Sequence, residues 1–237
     1  MVKQDVDRLR PLWLALHAHH RKIASKIGPF VSEEMSWHCR KSQYLKAMTG
    51  DFFGLIAREG SADIGYLLCA RRPMDWNATF AIPSTLWELV TLFVVPELRG
   101  RGLGSTLLDV MDKHVASSDV QTKLIGVIPD NHQAVALYQS RGFVPSWLTQ
   151  TRFQRPAPKT GKASGAILIE TNGAETAVDL EPLWLSLHHH HQAVSPHLGP
   201  WVNDQLSWGV IRDLLANSAS NGLLFVAKEN GKYLGLA

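Results

Sequence analysis

A chain of 237 residues that is 45% hydrophobic and 19% charged can build one large core or two small ones, and its 24 Lys and Arg against 21 Asp and Glu exclude the charge bias of a disordered tail. A formal charge of +3, with no Lys/Arg block on one helical face, predicts no nucleic-acid partner. Two cysteines, Cys39 and Cys69, are too few for a disulfide framework, and no apolar leader or uncharged run near the ~18 residues of a membrane span is present, so a cytoplasmic chain with no membrane partner is expected.

Leu9, Leu12, Trp13, Leu16 and His20 recur at helical spacing within residues 5–25, with Pro11 in a first turn and Gly28-Pro29 closing the segment. Ser32 before Glu33 and Glu34 predicts an N-capped second helix reaching about Met48. Residues 53–58 and 64–70, around the turn 59–63, read as a β-hairpin. Leu86 to Val95 is an apolar run interrupted by Glu88 and Thr91, hence a buried strand. Beyond it, residues 103–115 predict a helix, 123–128 a strand, 131–140 a helix and 143–153 a strand or pair of strands. The order ααββ, then βαβαβ, predicts the α/β class in its α+β form, a mixed sheet with helices on its faces.

The sequence also repeats itself. Leu9, Pro11, Trp13, Leu16, His17 and His20 return as Leu180, Pro182, Trp184, Leu187, His188 and His191, an offset of 171 residues. Gly28-Pro29 returns as Gly199-Pro200 and Ser36-Trp37 as Ser207-Trp208; after a one-residue deletion, Ala57 and Gly65 return as Ala227 and Gly235. A Pro-, Gly- and Lys-rich stretch within 154–165 separates the copies. The expected division is a domain over 1–155, a linker over 156–165 and a partial repeat over 166–237, with nothing after about Asp75 of the first copy returning in the second. An added strand at residues 167–171 either leads the second copy or closes the first. Half a sheet leaves an edge unpaired, so the partial repeat is expected to dock on the first copy or on another chain as a homodimer.

Between the buried strand and the third helix lie Arg99, Gly100, Arg101, Gly102, Leu103, Gly104 and Ser105. Glycines there let a phosphate approach the main-chain N–H groups without a Cβ in the way, and a helix N-terminus adds about half a positive charge. A pyrophosphate suits such a turn; a simple strand-to-helix turn is the other reading. No Lys precedes Ser105 as in a phosphate-binding loop of the Walker type, and the spacing is not GxGxxG.

Arg99-x-x-Gly102-x-Gly104 after a Val-x-Pro strand end, with Asn131-x-x-Ala134-x-x-x-Tyr138-x-x-x-Gly142-Phe143 downstream, resembles the GNAT superfamily of acyl-CoA-dependent N-acyltransferases. The match covers residues 86–143, and the preceding ααββ order suits it. The resemblance implies a GNAT acyltransferase fold followed by a partial second GNAT-like unit, tandem members of the family carrying two copies of which one is often degenerate. It implies acetyl-CoA as cosubstrate, its pyrophosphate on the 99–105 turn and its pantetheine arm along Leu92, Phe93 and Val94, where a bulge would free a main-chain N–H to polarise the carbonyl. Tyr138 would be the general acid toward the departing sulfur, with a core tyrosine as the other reading. Glu88 matches the strand glutamate that serves as base through ordered water, with a structural carboxylate paired to an Arg as the other reading; the family's alternative glutamate position is Gly126 here. Asn131 serves as an N-cap or as a cofactor contact.

The implied activity is acetyl transfer to a primary amine of a small molecule, peptide or protein. A non-catalytic acyl-CoA sensor and an aminoglycoside-type enzyme are the competing readings, the latter wanting an acid-lined cleft for which Glu33, Glu34 and Glu88 are on offer. In such a fold the first two helices wall the acceptor pocket, making His17, His20, Glu33, Glu34 and Trp37 candidates for acceptor recognition. The clusters His17, His19, His20 and His188 to His191 come without a third ligand or a cysteine pair, so surface imidazoles and no metal are expected.

Overall fold

In a computed structural model of the chain, residues 1–24, 30–73, 85–146, 148–149, 168–171 and 174–236 are described. They fall into two compact units, residues 1–149 and residues 168–236.

The first unit opens with a 3-10 turn, Lys3–Leu9, that feeds α1, Arg10–Ile23. A single α-helix from residue 5 was expected; Pro11 has no N–H to give the carbonyl four residues back, so the α pattern begins only at Arg10. α2, Glu33–Ala47, is capped by Ser32, whose hydroxyl accepts from Met35 N at 3.3 Å. Strands β1 (Phe52–Glu59), β2 (Ala62–Pro73), β3 (Thr85–Val94) and β4 (Lys123–Ile125) form a sheet in the order β1-β2-β3-β4, antiparallel except for the parallel β3/β4 pair. α3 (Leu103–Ala116) and α4 (His132–Gln139) complete the unit. Residues 143–146 and 148–149 carry no strand, and the rest of the expected 143–153 strand lies outside the described residues.

Alternation along β2 builds two cores. Tyr66 and Leu68 pack with Trp13, Leu16, Trp37 and Tyr44 of α1 and α2, while Leu67 and Cys69 pack with Leu108 and Met111 of α3. The pairing of β2 with β3 slips by one residue: Leu68 opposes Thr91 and Cys69 opposes Leu89, leaving Val90 as a bulge. The bulge therefore sits two residues before the 92–94 stretch where it was expected. A chain of hydroxyls holds it there, with Tyr66 and Tyr44 2.9 Å apart, Tyr44 and Thr91 2.8 Å apart, and Thr91 donating to the Val90 carbonyl at 2.7 Å. Trp13 ties α1 to α2 by donating its indole N–H to Ser36 Oγ at 3.0 Å.

The second unit contains β5 (Leu168–Thr171), a 3-10 turn (Ala174–Leu180), α5 (Glu181–Val194), α6 (Asp204–Ser220), β6 (Phe225–Glu229) and β7 (Lys232–Leu236). Its sheet runs β5-β6-β7, antiparallel throughout, so β5 belongs here and does not close the first unit. Trp184 donates to Ser207 Oγ at 2.8 Å, as Trp13 does to Ser36. Leu9 and Leu180 are both fully buried in their own cores. The hairpin register shifts between Ala227 and Lys228, at the positions that correspond to Ala57 and Arg58, where the β1/β2 register shifts too.

Candidate functional site

The strand-to-helix turn follows from local chemistry. After β3, Val95 N donates to Ile64 O at 3.0 Å and Arg99 N to Pro96 O at 3.2 Å, which ends the protein's own claim on these amides. Gly100 and Gly102 then take φ of +74° and +84°, a region that costs a side-chain-bearing residue roughly 1–2 kcal/mol. Helical bonding resumes with Thr106 N donating to Gly102 O at 2.9 Å. Among the described residues, no protein group accepts from the main-chain N–H groups of residues 100–105, and the N-cap Gly102 has no side chain to cap the helix. A Cβ built at Gly100 or Gly102 would meet nothing within 4 Å, so the space above the turn is open. The turn therefore presents a row of unclaimed donors at the positive end of α3, a site suited to an anion.

This turn forms one wall of a cavity of about 690 Å³. The end of β3 supplies Leu92, Phe93 and Val94, α4 supplies Asn131 and Tyr138, and α1 supplies Leu16 and His19. Arg99 is folded against its own strand, donating through Nε to Val94 O at 3.0 Å with its guanidinium 5.6 Å from the Phe93 ring. Burial lowers its pKa, which Glu97 opposes. Asn131 accepts from Ala134 N at 3.3 Å as the cap of α4 and, like His19, lines the cavity. His19 has its pKa lowered, first by burial and then by the Arg99 charge, with the Asn131 side chain pulling the other way. Burial pushes the Tyr138 phenol up to about 12, and its ring meets Phe143 edge to face at 5.8 Å. Its hydroxyl has no hydrogen-bond partner among the described residues, so it is a protonated donor in the cavity wall without a prior acceptor.

Of the site residues expected from sequence, 92–94, 99, 100 and 102–105 share this cavity with Asn131 and Tyr138. Arg101 is exposed beside the turn and lies outside the lining. Glu88 lies outside it as well. Its register partners are Ala70 and Leu124, and its Oε2 is 2.6 Å from Arg72 Nε, a charge contact in which the N–H is not aligned on the oxygen. His17 is buried between Trp13 and Phe30 with Nε2 unpartnered, and burial drops the His20 pKa to about 4; neither lines the cavity. Glu33 and Glu34 are exposed in the first turn of α2, Glu34 paired with Arg10 at 2.9 Å, and Trp37 is a core residue. Leu16 and His19 were not anticipated. Leu16 belongs to the buried stripe of α1 and the half-buried His19 follows it three residues on, but only the folded chain shows that this side of the helix reaches the glycine turn. Among the described residues, no group of three His, Cys, Asp or Glu is placed to hold a metal, and no helix is long and apolar enough to cross a membrane.

Comparison with known proteins agrees with this geometry. A mycothiol acetyltransferase from Renibacterium salmoninarum is 24% identical over 177 residues, 65% of this chain and 52% of that protein. A ribosomal protein bS18-alanine N-acetyltransferase from Salmonella typhimurium is 38% identical over 72 residues, 29% of this chain and 49% of that protein. The chain thus spans about half the length of these curated relatives. Among solved structures, a GCN5-related N-acetyltransferase from Ralstonia eutropha superposes with a TM-score of 0.50 at 15% identity, covering 68% of this chain and 96% of that one. A Bacillus halodurans protein does so with a TM-score of 0.51 at 16% identity, covering 64% and 96%. Likeness at such identity shows a shared fold. Residues 14–143, running from α1 through the glycine turn to the end of α4, match the Acetyltransferase (GNAT) family as a sequence family, and the chain belongs to it.

Proposed function

We propose that the chain is an N-acetyltransferase that moves an acetyl group from acetyl-CoA to a primary amine of a small molecule, peptide or protein by direct attack. The observation that carries this reading is the row of N–H groups at residues 100–105, unclaimed by the protein and opening into a cavity that also holds Tyr138. Acetyl-CoA supplies a thioester carbonyl and an anionic diphosphate handle. The turn amides, helped by the exposed Arg101, hold the diphosphate; residues 92–94 and Asn131 line the path of the arm. Tyr138 keeps its proton across the working pH range and gives it to the departing sulfur. Glu88, held by Arg72 outside the lining, contributes to proton removal only indirectly, relayed by water. Relatives named for mycothiol and for a ribosomal-protein alanine support an amine acceptor, of small-molecule or protein kind.

In this reading residues 1–155 are the catalytic domain, 156–165 a linker, and 166–237 a second GNAT-like unit that repeats the ααββ half of the first. The repeated Trp-to-Ser hydrogen bond and the repeated register shift support the copy. Two free cysteines support a reducing, cytoplasmic setting. A homodimer made through the second unit belongs to the same reading, and light scattering tests it.

Calorimetry with acetyl-CoA and with coenzyme A, followed by a thiol-release screen over amines, tests the assignment; the absence of any cofactor binding would end it. A second reading, a non-catalytic acyl-CoA sensor, is favoured by the lack of a carboxylate in the described cavity wall. It predicts binding without thiol release.

A further inference from the structure

The wall of the cavity has the means to hold an anion and to give up a proton, yet no Asp or Glu among its described residues takes one. Its titratable side chains are three: Arg99, Tyr138 and His19. Arg99 stays charged and Tyr138 stays protonated, which leaves the imidazole. In the neutral imidazole one ring nitrogen carries the proton. The other ring nitrogen carries the lone pair. Around the ring stand Arg99 from the turn, Lys22 and His20 from its own helix, and Tyr138 from α4 across the shared cavity. No carboxylate is among them, and burial together with the Arg99 charge favours the neutral, proton-accepting form at pH 7. Asn131, fixed as the cap of α4, lines the same cavity.

We infer that His19 is the base of the transfer, accepting the N–H proton of the attacking amine directly in the cavity. The inference rests on the acetyltransferase reading above. The neutral amine's lone pair forms the bond to the acyl carbon and the carbon–sulfur bond breaks. One N–H proton passes to His19 as the nitrogen becomes acidic, and the sulfur takes the phenolic proton of Tyr138. Solvent then returns a proton to Tyr138 and removes one from His19, so the cycle closes with an amide and a free thiol.

The test uses the full chain. With ¹⁵N-labelled protein, the imidazole signal that disappears in His19→Gln is expected to move when coenzyme A saturates the wild type. Thiol release is then followed with acetyl-CoA over an amine panel that includes alaninamide. His19→Gln is expected to lower kcat/KM about 100-fold at pH 7 and to remove the acid limb of the pH profile, with the Kd for coenzyme A within twofold of wild type. Added imidazole should restore part of the rate in His19→Ala, whereas Glu88→Gln should lose under tenfold and keep the acid limb. Coenzyme A binding with an unmoved His19 signal, or a His19→Gln rate within threefold of wild type, overturns the base and leaves the acetyltransferase reading standing. No binding of coenzyme A, or no thiol release with any amine, overturns both.

Discussion

Arg141, just beyond α4, donates through Nη2 to the carbonyl of Ser105 at 2.9 Å and pairs through Nη1 with Asp109, so one side chain ties α4 to the first turn of α3. These two helices are the walls that bring Tyr138 and the glycine turn to one cavity. Removing the tie should loosen the cradle without dismantling the core, because the tie is made of polar contacts and not of the apolar side chains packed around α3. Arg141→Ala is therefore expected to weaken coenzyme A binding three- to tenfold in calorimetry while leaving the far-ultraviolet circular dichroism unchanged.

The left-handed φ of Gly102 gives a second expectation. Alanine there strains the backbone by roughly 1–2 kcal/mol and also places a methyl group in the open space above the turn. Gly102→Ala should lower the unfolding free energy measured in urea by that amount and weaken coenzyme A binding by at least tenfold. Unchanged affinity alongside the stability loss would show that the turn is merely a turn.

Tyr138 links function to pH. Its pKa rises from 10.0 to about 12 on folding, so between those values the unfolded chain has lost a proton that the native chain keeps. The stabilising contribution is thus whole below pH 10 and is lost as pH rises toward 12, by about 2–3 kcal/mol in all. Tyr138→Phe should flatten that alkaline loss in urea titrations at pH 9 to 11. It should also lower thiol release about 100-fold, with coenzyme A affinity retained.

The indole hydrogen bond of the first unit carries a stability prediction. Trp13 and Ser36 are both buried, so Ser36→Ala leaves an N–H with no acceptor and is expected to cost about 1–3 kcal/mol in chemical denaturation.

Much of this was legible because it is written locally. Glycines at 100, 102 and 104, the Asn131 cap and the seven-residue step to Tyr138 mark a turn and a helix that form from adjacent residues. The repeat stands out in the sequence because the same residue types recur at an offset of 171 and then 170 residues. What failed to show depends on distant partners. The bulge falls at Val90 because hydroxyls from α2 and β2 meet Thr91 there, and nothing in the strand's own pattern says so. Glu88 reads as an isolated acid until β2 brings Arg72 beside it, and His19 reads as one of many surface histidines until α1 reaches the cavity. The β4 strand is shorter than its apolar run, ending at Ile125 before Gly126.

The hydroxyls beneath β3 also fix a direction. The Val90 carbonyl can only receive, so Thr91 must give to it, Tyr44 must give to Thr91, and Tyr66 must give to Tyr44. Three O–H dipoles therefore line up head to tail, their positive ends toward the displaced peptide, joined there by the Arg40 guanidinium at 3.5 Å. That peptide is polarised from its oxygen end, which sharpens the N–H that Thr91 contributes to it. An ordered relay of two phenols and an alcohol thus turns a kink in a strand into a tuned electrostatic feature.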